Sequence, residues 1–227
     1  MKRISFENDY IYHIYNRGVE KRNIFIEEKN YSRFISDLQQ FNSDQATLNN
    51  GRNIERGLIE VGLQSKKLVE ILAFCLMPNH YHLLVQQKIE KGVTEFMRKI
   101  GTGYTNYFNT KYNRVGPLFQ GKFKAVLVEK ESHFMHLPHY IHLNPLELKP
   151  IYLGGKTNPE EILTFLKNYR WSSLPDYLGT KNFPTIVNKD FLIGCHGGYK
   201  NFLQNMQEWL CEEKEIKSNT LKDIIFD

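Results

Sequence analysis

The chain has 227 residues, a formal net charge of +5 and 41% apolar residues, enough for one packed domain with extensions. Its apolar runs are far too short to span a bilayer, and none follows the basic residues of Met1-Lys2-Arg3, so neither a membrane protein nor a secretory leader is expected. Cys75, Cys195 and Cys211 have no CxxC spacing and read as reduced thiols, which points to the cytoplasm.

Tyr10 to Arg17 is aromatic and β-branched and closes on Gly18, the pattern of a first strand. Apolar residues at 31, 34, 35, 38 and 41 predict a helix over 30–41. Residues 42–66 are polar, carry the turn signal Asn49-Asn50-Gly51, and read as an insertion. Val69 to Met77 is an apolar run of strand length; Pro78-Asn79 interrupts it, and His80 to Gln87 resumes as the next strand. Val93, Phe96, Met97, Ile100, Tyr104, Tyr107 and Phe108 form a helical stripe. Gly101 and Gly103 weaken that helix by about 1 kcal/mol each relative to Ala, and small residues there let a backbone or ligand approach. Phe123 to Val128 reads as a strand, Ser132 as the cap of a helix running towards Asn144, and Pro145 as its stop. The tail from 146 to 227 is expected to be a helical appendage.

Strand, helix, strand, strand, helix, strand is the order of the ferredoxin-like split βαβ unit. The expected fold class is therefore α+β: an antiparallel sheet with helices on one face, plus a C-terminal helical extension. The expected division is a domain over residues 1–150, with 42–66 inserted, and an extension over 151–227.

Residues 91–130 hold eight basic side chains (Lys91, Arg98, Lys99, Lys111, Arg114, Lys122, Lys124 and Lys130) against Glu95 and Glu129, a local excess above that of the whole chain. Aromatics are interleaved among them. Cations neutralise phosphates and exposed aromatics stack on unpaired bases, so single-stranded nucleic acid is a candidate partner. The same composition fits aromatics in a core and lysines on a solvated face. Arg17, Arg98, Lys99, Lys122 and Lys124 are the candidate DNA-binding residues.

The most informative stretch is His80-Tyr81-His82. Two histidines separated by one residue on a strand point to the same side. Paired imidazoles near a third ligand can hold a divalent metal, and a tyrosine in reach can then cut a phosphodiester covalently. A lone His-x-His on an apolar strand is more often structural, so the rest of the site matters. The last helix of the unit carries His139-Tyr140-Ile141-His142-Leu143-Asn144-Pro145, and Tyr140 and Asn144, four apart, share one of its faces. Tyr140 supplies a nucleophile and Asn144 an oxygen ligand, whereas His139 and His142 lie off that face. Pro138 falls inside the helix, which must either kink or restart there. Trp171 reads as a packing anchor for the tail.

At these residues the chain resembles a family. Met77-Pro78-Asn79-His80-Tyr81-His82-Leu83-Leu84 resembles the HUH motif, and Tyr140-Ile141-His142-Leu143-Asn144-Pro145 the tyrosine motif, of the single-tyrosine HUH transposases of the insertion-sequence type. Tyr12-His13-Ile14-Tyr15-Asn16-Arg17-Gly18 resembles their opening strand, and Gly116 to Lys124 the stretch before their fourth strand. Tyr169-Arg170-Trp171-Ser172-Ser173 and Asp176-Tyr177 are similar to a segment of the REP-associated tyrosine transposases. The resemblance implies a metal-dependent endonuclease and strand transferase acting on single-stranded or hairpin DNA. It implies that His80 and His82 bind Mg²⁺ or Mn²⁺, that Asn144 completes the ligands, and that Tyr140 attacks to leave a 5′-phosphotyrosine and a free 3′-OH. It is compatible with a monomer or a homodimer. Two rivals use the same sheet: a non-catalytic single-stranded nucleic-acid-binding protein, which would not need Tyr140, and a phosphohydrolase without covalent chemistry.

Overall fold

The computed structural model describes residues 5–45, 65–149 and 158–216. Strand β1 (Ile11–Arg17), helix α1 (Glu28–Gln40), strands β2 (Val69–Met77) and β3 (His80–Gln87), helix α2 (Gly92–Lys111) and strand β4 (Lys124–Leu127) follow in the expected order. They build a four-stranded antiparallel sheet ordered β2-β3-β1-β4, the ferredoxin-like arrangement. Pro78-Asn79 is the turn of the β2-β3 hairpin, in which Met77 pairs with His80.

Side-chain alternation divides the sheet. Tyr12, Ile14, Phe74, Leu76, Tyr81, Leu83 and Val85 face α1 and α2 and make one core with Phe34, Leu38, Phe96, Ile100 and Tyr104. Helix α1 starts where Glu27 and Asn30 form a reciprocal capping box. In α2, a Cβ on Gly103 would lie 2.5 Å from the Phe41 ring, so this glycine serves the packing between the two helices, while Gly101 faces open space.

The opposite face carries the histidines, and it is also covered. Helix α3 (Glu131–Leu143), a 3₁₀ turn (Asn144–Leu148), and helices α4 (Pro159–Asn168), α5 (Leu174–Tyr177), α6 (Lys189–Cys195) and α7 (Tyr199–Ile216) close over it. Leu72, Ala73, Cys75, Met77 and Leu84 of the sheet form a second core with Leu137, Ile141, Leu166, Leu174, Tyr177 and Phe202. Helices on one face thus holds for α1 and α2, and the tail, read as an appendage, is integral to the other layer.

The extension is also stitched to the outer edge of β2. The Leu76 amide donates to the Trp171 carbonyl (2.9 Å), Ser173 to the Phe74 carbonyl (3.0 Å) and Asn188 to the Ile71 carbonyl (2.8 Å). The Tyr177 hydroxyl donates to the Leu72 carbonyl (2.5 Å). An edge strand with unpaired backbone groups is a template for aggregation, and this pairing covers it. Trp171 stacks on Tyr31 of α1 with ring centroids 4.6 Å apart, the packing role expected of it.

Of the polar segment 42–66, only the two ends fall within the described residues. Asn42 exchanges side-chain bonds with the backbone of Val69 (2.8 and 2.9 Å); the Asp44 carboxylate accepts from the Lys66 amide and the Asp44 amide donates to the Lys66 carbonyl (both 3.0 Å). The two described ends of the segment therefore lie side by side. The Asn49-Asn50-Gly51 turn lies outside the described residues.

Candidate active site

Strands β1 and β3 lie side by side at the centre of the sheet, with Tyr15 opposite His82 and Arg17 opposite His80. Alternation sends His13, Tyr15, His80 and His82 to the face crossed by α3. That helix is fastened by Leu137 and Ile141 in the second core. It sets the Tyr140 ring edge-on to His82, with centroids 5.6 Å apart and planes at 85°. Asn144, 4% exposed, follows directly on the helix. Its amide N–H donates to the Tyr140 carbonyl one turn back (2.9 Å), which aims its Oδ1 at His80 Nε2, 3.5 Å away.

Helix α3 runs unbroken through Pro138, so it does not restart there. The proline gives up only the bond that the Phe134 carbonyl would accept in a regular helix. The N-cap is Lys130 rather than Ser132, and no side chain caps it.

Hydrogen bonding fixes the state of His80. Its Nδ1 lies 2.6 Å from the Asn79 side-chain oxygen, which only accepts, so Nδ1 carries the proton and Nε2 keeps its lone pair. That lone pair points at a second acceptor, Asn144 Oδ1. Two acceptors facing each other suit a shared cation: an ion about 2.1 Å from each ligand fits between atoms up to about 4 Å apart. Burial pushes the His80 imidazole below its ordinary pKa, aided by the Arg17 charge and opposed by Glu147 and Asn144. Burial pushes His82 well below, with His13 and His80 adding to the effect. Both rings are then neutral at pH 7, the form that ligates. Burial raises the Tyr140 phenol, with Asn144 lowering it in part and Glu147 raising it further. A phenol so placed needs a nearby cation to react as phenolate. Among the described residues, no group of three or more His, Cys, Asp and Glu could hold a metal; the further oxygen donor beside His80 is the Asn144 amide. His80, His82 and Asn144 fit a divalent ion on these grounds.

The candidate DNA contacts divide. Arg17 lies beside the site, its guanidinium donating to the Gln120 side chain. Lys124 stands over the Tyr15 ring, Nζ 5.9 Å from the centroid, and Lys122 is exposed. Arg98 and Lys99 belong to α2, in the layer behind the sheet. Arg98 is ion-paired with Glu95 (2.6 Å). The Lys99 side chain is only 8% exposed, and its ammonium donates to the Ser43 and Gln45 carbonyls (2.6 and 2.8 Å), which commits its charge to internal carbonyls. The basic excess of 91–130 is thus spread over two layers, and its aromatics Phe96, Tyr104 and Phe108 are core.

His139 and His142 lie off the site, as expected. His142 Nε2 meets the Ser173 hydroxyl at 2.8 Å, and His139 rests against His196 and Phe202. The sequence reading passed over His13, which meets His82 at 2.9 Å between ring nitrogens. The available signal was alternation: Tyr12 and Ile14 are the core partners of their strand, so His13 must face the other way.

This fold and this cluster define a class of protein: an α+β domain whose paired histidines are crossed by a tyrosine-bearing helix. Residues 48–144 match the family model described as transposase IS200 like. The match takes in His80, His82, Tyr140 and Asn144. The structure is similar to that of a REP-associated tyrosine transposase bound to a REP hairpin, with 10% identity, 79% of this chain and 85% of that one covered, and a TM-score of 0.49. It is also similar to a protein of Deinococcus radiodurans R1 assigned as a transposase, with 13% identity, 62% and 95% covered, and a TM-score of 0.35. No curated protein gives a significant match. No helix among the described residues is long and apolar enough to cross a membrane.

Proposed function

We propose that this protein is a transposase, a metal-dependent endonuclease and strand transferase that cuts single-stranded or hairpin DNA through Tyr140. The observation that carries this reading is the convergence of Tyr140, His82, His80 and Asn144 from one sheet and one helix of the same chain. His80 Nε2, His82 Nε2 and Asn144 Oδ1 would hold Mg²⁺ or Mn²⁺, and the two imidazoles suit Mn²⁺ somewhat better than the harder ion. When bound, the ion supplies Lewis-acid polarisation of the scissile phosphate.

Helix α3 presents the Tyr140 oxygen to the phosphorus, and the second core beneath holds the helix in place. The phenolic O–P bond forms as the P–O3′ bond breaks. The phenol gives up its proton and the departing 3′ oxygen takes one, so the products are a 5′-phosphotyrosine and a 3′-OH with no net change in protons. Attack by a 3′-OH on the phosphotyrosine reverses the step and joins strands, and no nucleotide cofactor is consumed. Arg17, Lys122 and Lys124 are suited to holding the backbone of the strand. Tyrosine and histidines come from one chain, which favours a protomer that cuts in cis.

Incubation of a labelled hairpin oligonucleotide with the protein and Mn²⁺ tests this reading. Cleavage yielding a free 3′-OH, abolished by EDTA and by His80→Ala, is expected. Cleavage that persists in EDTA, or products with free 5′ phosphates from the first turnover, would contradict it.

A further inference from the structure

His13 carries the next step, which rests on the metal reading above. It is fully buried on β1, diagonal to His82 on the neighbouring strand. The ring centroids are 5.1 Å apart, the planes differ by 17°, and the closest nitrogens are His13 Nε2 and His82 Nδ1 at 2.9 Å. With so short an N···N distance at that centroid separation, the rings meet edge to edge and almost coplanar, the geometry of an N–H···N hydrogen bond.

One proton occupies that bond, and which ring owns it matters. If His13 Nε2 carries it, neutral His82 must hold its own proton on Nε2, the atom facing the site, and cannot ligate there. If His82 Nδ1 carries it, His82 Nε2 is a bare lone pair, and His13 holds its remaining proton on Nδ1. We propose that His13 is a positioning residue: its Nε2 accepts the His82 Nδ1 proton and so holds His82 in the tautomer that can bind a metal. The same logic operates at His80, whose Nδ1 proton is taken by Asn79. The two ligands are thus set by two different acceptors, one an amide and one an imidazole. Outer partners of this kind fix ring tautomer and orientation.

The far side of His13 fits this assignment. His13 Nδ1 has no hydrogen-bond partner within the protein. His13 also lines a cavity of about 20 Å³ with Val126, Val128, His133, His136 and Leu137. That volume accommodates one water, an acceptor for an Nδ1 proton.

Two measurements test the proposal. Long-range ¹⁵N–¹H NMR on the metal-free protein reads the tautomer directly: His82 is expected as the Nδ1–H form in the wild type and in His13→Gln, whose side-chain oxygen can accept. In His13→Phe, which keeps the ring and loses the acceptor, His82 is expected to change to the Nε2–H form. Mn²⁺ binding, followed by the EPR signal of free Mn²⁺, should weaken about 10- to 100-fold in His13→Phe and stay within a few fold of wild type in His13→Gln. Finding wild-type His82 in the Nε2–H form overturns the proposal, as does wild-type Mn²⁺ affinity in His13→Phe. If His13→Phe does not fold, the wild-type tautomer and the His13→Gln affinity still decide it. Undiminished Mn²⁺ binding in His82→Ala would instead sink the metal reading, and the NMR result would stand or fall by itself.

Discussion

Acidification from pH 7 to pH 5 should destabilise this protein steeply, through histidines rather than carboxylates. His13, His139 and His142 are buried, and burial pushes each down to a pKa of about 3 from the ordinary 6.5. A base with a depressed folded pKa is protonated first in the unfolded chain. Its contribution is complete above about pH 6.5 and is lost progressively as the pH falls towards 3. Each such group removes up to about 1.4 kcal/mol per pH unit inside that window. Between pH 6 and pH 5 the three together remove about 3–4 kcal/mol, a large part of a typical stability of about 5–15 kcal/mol. His139 is the most useful probe: neither ring nitrogen has a hydrogen-bond partner, and the ring rests against Phe202 with centroids 4.9 Å apart. His139→Phe keeps an aromatic ring and removes two unsatisfied polar atoms. It should raise stability at pH 7 by about 1–3 kcal/mol and remove about 1 kcal/mol per pH unit of the acid slope. Urea unfolding at pH 7, 6 and 5 in EDTA, followed by circular dichroism, measures both quantities. A wild-type stability that is flat from pH 7 to 5, or an unchanged slope in His139→Phe, would refute the argument.

Other perturbations have distinct signatures. His82→Ala should abolish cleavage with DNA affinity retained, and should cost about 1–3 kcal/mol because His13 Nε2 is left unpaired; strand-cleavage assays and melts separate the two effects. Neutralising Lys122 and Lys124 together should reduce the slope of log affinity against log salt by about 1.4, whereas Arg98→Ala should leave it unchanged, as read by fluorescence anisotropy on single strands. Gly101→Ala should stabilise by about 1 kcal/mol, because the position is helical and open. Gly103→Ala should destabilise, because the new methyl meets the Phe41 ring; thermal melts of the pair distinguish them.

Much of the candidate site was legible in the chain because strands announce it locally. Alternation put His80 and His82 on one side, and helical spacing put Tyr140 and Asn144 one turn apart. What the sequence could not convey was which basic residues lie on the histidine-bearing side of the sheet. Arg98 and Lys99 lie in the same run as Lys122 and Lys124, but helix α2 and strand β4 are in different layers, and charge counted along the chain ignores layers. Lys99 shows the further point that a long side chain can spend its charge on internal carbonyls. Residues 171–173 and 187–188 pair with the edge of β2 through backbone groups, which carry no side-chain signature; their sequence spoke only of a tail. The contact between His13 and His82 depends on the β1-β3 register, which propensity and pattern leave open by a residue or two.

The central claim is that Tyr140 is the covalent nucleophile among thirteen tyrosines. Its most direct test is to incubate wild-type protein with Mn²⁺ and a cleavable hairpin oligonucleotide, denature, digest, and map the DNA-bearing peptide by mass spectrometry. The predicted result is a single adduct on the peptide containing Tyr140, joined through a 5′ phosphate, and none in Tyr140→Phe, which should still bind the oligonucleotide. An adduct on any other tyrosine, one joined through a 3′ phosphate, or one that survives in Tyr140→Phe would contradict the account.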